Sequence, residues 1–219
     1  SLKTELAALA MAHYGDFTAR ALPGNWESSE GALLLKAHSA KDALFEVDDF
    51  SPSGSAHDQT QLAKKADRVF RGAANSAGRE RLTSDIKLRK GQYPRGMVSA
   101  SGEDVPPGRS LRARLWIVDL PLGAIDTAKL TDCQRDAASG IYRQTLSGYL
   151  QWLAAYADEL ATSLPARHEA LRNAAPEALR SHGRIPSNLA ALLVAVETFV
   201  QFAIDAGALT REQGENLHR

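Results

Sequence analysis

The chain has 219 residues, with 26 Lys or Arg against 26 Asp or Glu, so it is formally neutral at pH 7 and its bulk charge favours no class of partner. One cysteine, Cys133, excludes an internal disulfide framework and fits a reducing, cytoplasmic compartment. Six histidines scattered without ligand spacing indicate no zinc site, and 44% apolar with 24% charged residues is the balance of an ordinary globular chain.

The charge is unevenly placed. Between Lys64 and Arg114 there are 13 basic and 5 acidic residues, and the remainder holds 13 basic and 21 acidic. A basic middle of this kind suits phosphates, of a nucleotide or of a nucleic acid, and it equally suits a solvated surface.

In chain order, no signal peptide is expected at the start, and Lys3-Thr4 leads directly into a strong helix former, residues 5–13, with Leu6, Leu9 and Ala10 on one face. A Lys-Thr pair opening a helix has the chemistry of the end of a phosphate-binding loop. The ammonium reaches phosphate oxygens, the hydroxyl is a magnesium ligand, and the helix N-terminus adds partial positive charge. Residues 17–22 read as a short strand and Pro23-Gly24-Asn25 as a turn, followed by a helix capped by Ser28 or Ser29.

Ala43-Leu-Phe-Glu-Val-Asp48-Asp49-Phe50 then reads as a buried strand with two carboxylates at its C-terminal end. Ionised groups at that end of a parallel strand are where a magnesium nucleotide is held, although a strand running into an acidic turn has the same pattern. Glu46, inside the apolar run, needs a partner if buried. Residues 57–71 form an amphipathic helix closed by Gly72. The basic stretch 75–94 is long for a plain connection and suits a functional loop or a hairpin. Its Arg79 and Arg81 could meet a neighbouring subunit's nucleotide, a DNA backbone or only water.

Residues 96–104 make a second strand that ends in Ser101, which suits a polar sensor of a γ-phosphate as well as a plain strand-to-glycine turn. Residues 109–114 lead into a third strand, 115–120, and three strands separated by helices predict an open α/β sheet. Beyond Pro121 the pattern is helical: a long helix from a cap at Thr131 or Asp132 to Leu164, breaks at Pro165 and Pro176, an apolar helix 188–206 capped by Ser187, and a capping box at Thr210. Glu197, Gln201 and Asp205 put a polar stripe on the apolar helix, so a buried helix and no membrane span is expected.

Lys3-Thr4, the Asp48-Asp49 strand, the Ser101 strand and Arg109-x-x-Arg112-x-Arg114 follow the order of a P-loop ATPase core. Over about half its length the chain resembles the AAA+ and superfamily 3 helicase-like ATPase domains that accompany primase-polymerase or helicase proteins of bacterial integrative elements. The resemblance places the chain's start inside the phosphate loop. It implies a mostly parallel P-loop sheet over residues 1–122, lacking its N-terminal strand, then a helical subdomain over 123–219. It also implies ATP and Mg2+ as cofactors: Lys3 and Thr4 binding nucleotide, Thr4 and Asp48 holding the metal, Asp49 polarising the lytic water and Ser101 acting as sensor. Arg112 or Arg114 would be an arginine finger reaching into an adjacent subunit of a homo-oligomer. DNA is the implied partner, touched through Arg79 and Arg81. Two other readings stay open: a non-catalytic DNA-binding or scaffold module on the same fold, and a P-loop kinase or other phosphotransferase.

Overall fold

The computed structural model describes residues 2–78, 81, 82, 85, 87–89 and 91–217. They fall into two compact units, residues 1–144 and 145–219, so the helix 127–139 belongs with the first unit.

The first unit is α/β. Its sheet is open, three-stranded and wholly parallel, in the order β1 (Gly24–Asn25), β2 (Phe45–Phe50), β5 (Val98–Gly102). Helix α2 (Glu30–Ser39) connects β1 to β2, and α3 (Ala56–Asn75) stands between β2 and β5, as parallel strands require. Ser29 caps α2 by accepting from the Ala32 amide, and Ser55 with Asp58 forms a reciprocal capping box on α3.

Both helices pack on one face of β2. Leu33 and Ala37 of α2 and Ala66, Val69 and Phe70 of α3 meet Phe45, Val47 and Phe50, with Trp26 set edge-on to Phe50 at 5.5 Å. Helix α1 (Leu2–Met11) packs against β2 and β5 on the opposite face and buries Ala8 and Met11. Alternation along β2 therefore sends Phe45 and Val47 to the core and Glu46 and Asp48 towards α1.

Several elements differ from the sequence reading. Residues 17–22 are not a strand. The strand is the next pair, Gly24–Asn25, where a Cβ on Gly24 would stand 2.8 Å from the Glu46 carbonyl oxygen. A tight strand-to-strand approach has the composition of a turn, which is why the signal misleads. Helix α3 runs through Gly72 and ends at Ser76, whose φ of 48° provides the left-handed cap. The long basic connection contains a hairpin, β3 (Arg81–Leu82) antiparallel to β4 (Leu88–Arg89).

Residues 109–114 begin with a single helical turn, α4 (Arg109–Arg112), that drives Leu111 into the core. The expected third strand at 115–120 is irregular. Trp116 and Val118 are 63% and 65% exposed, so the apolar run is not used as a buried strand among the described residues.

The long helix expected after Pro121 is three helices. Asp126 caps α5 (Thr127–Ser139), Gly140 stops it at φ 85°, and α6 (Ile141–Ala155) and α7 (Ala157–Ala174) follow. Helix α5 returns to α1 through Gln134, whose amide donates to Glu5 at 2.8 Å, and His13 stacks on Tyr142.

In the second unit Pro165 is accommodated inside α7 and does not end it. The apolar helix α8 (Ile185–Asp205) starts ahead of Ser187, with Pro186 in its first turn, where the missing N–H costs nothing. Thr210 and Gln213 form the expected capping box on α9 (Arg211–Asn216). Helix α8 packs on α7 and α9, and Arg167 pairs with Glu197 across the α7–α8 contact. By length and a hydropathy of 1.6 it also meets the bare requirements of a membrane span.

The core on the α2–α3 face should be intolerant of cavities. Leu33→Ala, at a fully buried position, is expected to cost about 2–5 kcal/mol in urea unfolding.

Candidate functional site

Four of the residues singled out in the sequence converge at the C-terminal edge of the sheet. Lys3 and Thr4 sit in the first turn of α1, Asp48 near the end of β2 and Ser101 near the end of β5. The Thr4 hydroxyl donates to Asp48 Oδ1 at 3.3 Å, and the Ser101 hydroxyl donates to the same oxygen. The Lys3 ammonium donates to the Gly102 carbonyl at 2.6 Å, at the end of the neighbouring strand. All four side chains are half-buried, so they are ordered by packing yet open to a ligand.

The local backbone explains how an apolar strand presents a carboxylate there. β2 pairs with β5 from Phe45↔Val98 to Val47↔Ala100, then resumes at Phe50↔Gly102. β2 therefore places two residues, Asp48 and Asp49, opposite the single residue Ser101, which is a β-bulge. Without it, simple alternation would turn Asp49 into the core and Phe50 away from it. With it, Asp49 takes φ 66° and is exposed, while Phe50 returns to the core. Asp tolerates the left-handed region better than most residues, which suits it to this position.

Beneath Asp48 on the same face lies Glu46, 1% exposed and paired in register with Ser99. No donor meets its two carboxylate oxygens at hydrogen-bond geometry among the described residues. Burial pushes its pKa above the ordinary 4.5 and the nearby Asp48 charge adds to this, while Ser99 and the Ser101 backbone are close enough to draw it part of the way back. A polar strip thus runs from the rim into the sheet: Thr4, Asp48 and Ser101 at the mouth, Glu46 and Ser99 below. The sequence marked Glu46 as needing a partner, and Ser99 and the Ser101 backbone approach it without closing a hydrogen bond of good geometry.

The remaining candidates stand elsewhere. Arg112 is on α4, not on a strand, and its Nε donates to the Pro106 carbonyl at 3.4 Å. Arg114 is held locally by the Ser110 carbonyl and by the Ser110 hydroxyl at 2.8 Å. Both arginines therefore brace the turn at 106–110. Arg79 lies outside the described residues, and Arg81 is described only as backbone of the β3–β4 hairpin. A cleft of about 400 Å3 is bordered by Glu30, Arg68, Arg71 and Gly78, and none of the four converging residues lines it.

The donor set at Asp48 is hard oxygen: one carboxylate and a hydroxyl on either side of it. No group of three or more His, Cys, Asp or Glu able to hold a metal occurs among the described residues, so this is no cage for a cation by protein ligands alone. It fits magnesium, which keeps several waters and takes only one or two protein ligands beside phosphate oxygens. No family model, no curated protein and no solved structure matches this chain.

Glu46 gives the fold a defined pH response. Its folded pKa is raised, so its contribution is fully present below about 4.5 and is lost as pH rises through the folded value, because the unfolded chain ionises first. Glu46→Gln should remove that loss. In thermal melts the variant is expected to gain stability over the parent chain at pH 8 relative to pH 4.

Proposed function

We propose that the chain is the ATP-binding and hydrolysing part of a helicase-like or replication-associated DNA motor of the P-loop class. The observation that carries this reading is the convergence of Lys3 and Thr4, opening a helix, on Asp48 and Ser101 at the carboxyl edge of a parallel sheet. Crevices at that edge are where open α/β sheets take their ligands. The first turn of α1, which carries Lys3 and Thr4, adds the positive partial charge of a helix N-terminus at the same edge.

In this reading Lys3 offers its ammonium to the β- and γ-phosphates, and Thr4 and Asp48 hold Mg2+. The metal, when bound, neutralises charge on the phosphate oxygens. Ser101, donating to Asp48, fixes its orientation and would sense the γ-phosphate or the attacking water. Asp49, thrown outward by the bulge, is free to orient that water. Arg112 or Arg114 reaches an adjacent subunit's nucleotide only if its local contacts are given up on assembly, so the trans finger belongs to a homo-oligomer. DNA contact falls to the basic stretch between Lys64 and Arg114.

A second reading is favoured by the local anchoring of both arginines. It makes the domain a non-catalytic DNA-binding or scaffold module, with the carboxylates retained only for the fold.

The full-length protein is expected to hydrolyse ATP in the presence of magnesium. Asp49→Asn should lower turnover about 100-fold or more while nucleotide binding persists. Lys3→Ala and Asp48→Asn should weaken magnesium-nucleotide binding itself, measured by calorimetry. Salt-dependent DNA binding that neither ATP nor these substitutions alter would decide for the non-catalytic module.

A further inference from the structure

Within the second unit, a groove of about 350 Å3 runs between the end of α6, the start of α7 and the second half of α8. Its walls combine two aromatic rings with three carboxylates: Trp152 and Tyr156 on one side, Glu159, Glu197 and Asp205 around them. The rings of Trp152 and Tyr156 lie one helical turn apart, with centroids at 4.8 Å and planes tilted by 43°, so they form an open corner. The corner is held in place. The Trp152 indole N–H donates to Asp205 Oδ2 at 3.0 Å, and Gln201 donates to Asp205 Oδ1 at 2.7 Å.

The charges are not balanced. Glu197 is neutralised by Arg167, through two hydrogen bonds at 2.8 and 2.5 Å. Asp205 accepts only from neutral donors, and no cation among the described residues forms an ion pair with it or with Glu159. The groove therefore joins π-faces to two uncompensated carboxylates, a combination that attracts a cation twice over. One turn before Glu197 on the same stripe of α8, outside the groove's own lining, Leu193 is 37% exposed and offers apolar surface.

We propose that this groove docks a basic peptide segment of a partner protein. One arginine or lysine side chain enters the Trp152–Tyr156 corner, its charge meets Glu159 and Asp205, and a neighbouring apolar residue covers Leu193. Charge complementarity selects the cation. The adjoining apolar strip selects a peptide over a small free amine, which has nothing to place there.

The test uses the full chain and three probes: a blocked hexapeptide with one arginine and one leucine, the same peptide with citrulline in place of arginine, and spermidine. The indole N–H resonance of Trp152, identified by its loss in Trp152→Phe, is followed by NMR. The arginine peptide should shift it saturably, and the citrulline peptide should not. Glu159→Gln, at an exposed position that leaves folding intact, should weaken the arginine peptide about threefold or more, as should high salt. No saturable shift, or equal shifts with arginine and citrulline, overturns the proposal. Binding of spermidine as tight as the peptide's also overturns it, by assigning the groove to a small polyamine.

Discussion

The first unit is organised by what β2 must do. It is the middle strand of a three-stranded parallel sheet, covered by α2 and α3 on one face and by α1 on the other, yet it carries carboxylates at Glu46 and Asp48 on the α1 face. A strand buried on both faces normally has no room for charge. The chain resolves the conflict differently at the two positions. Near the rim, Asp48 is half-buried and supplied with hydroxyl donors from two other elements. One pleat inward, Glu46 is buried with no donor in good hydrogen-bond geometry among the described residues, and burial raises its pKa.

The bulge at Asp48-Asp49 is the second half of that solution. An extra residue in β2 lets Phe50 rejoin Trp26 and Phe70 in the core while Asp49 is put outside. Packing on the α2–α3 face and polar chemistry on the other are thus coupled through one irregular step of backbone. Bulges beside functional edges commonly re-aim side chains in this way. Here the step separates two adjacent carboxylates by environment: one ordered against α1 and β5, one free in solvent.

The helices of the second unit rest on different physics. Helix α8 is apolar over most of its length and meets α7 through side-chain packing and the Arg167–Glu197 pair. Tyr149, Trp152, Phe199 and Phe202 form a chain of ring contacts between α6 and α8, and Gly148 stays helical there, with the Phe202 ring close against it. The same aromatic chain ends at the Trp152–Tyr156 corner, where ring faces are left open beside unbalanced carboxylates. Stability and recognition in this unit draw on the same residues.

Much of this was written into local sequence. The strand at 45–50 and the caps at Ser29 and Thr210 follow from residue type and short-range periodicity, and the resemblance to a P-loop core singled out Lys3, Thr4, Asp48 and Ser101 together. What the sequence could not decide was set by contacts between distant segments. Gly24–Asn25 is a strand because the Glu46 backbone lies against it, not because of its composition. The apolar run 115–120 has strand composition but is not paired into the sheet among the described residues, and periodicity does not say whether a partner strand exists. Arg112 and Arg114 were legible as cations, but whether they point at phosphates or brace a turn depends on a helical turn that Leu111 enforces by entering the core. Sequence fixes which groups are present and their local conformation; only tertiary packing fixes which faces meet, because burial and register are properties of pairs of segments and not of either one alone.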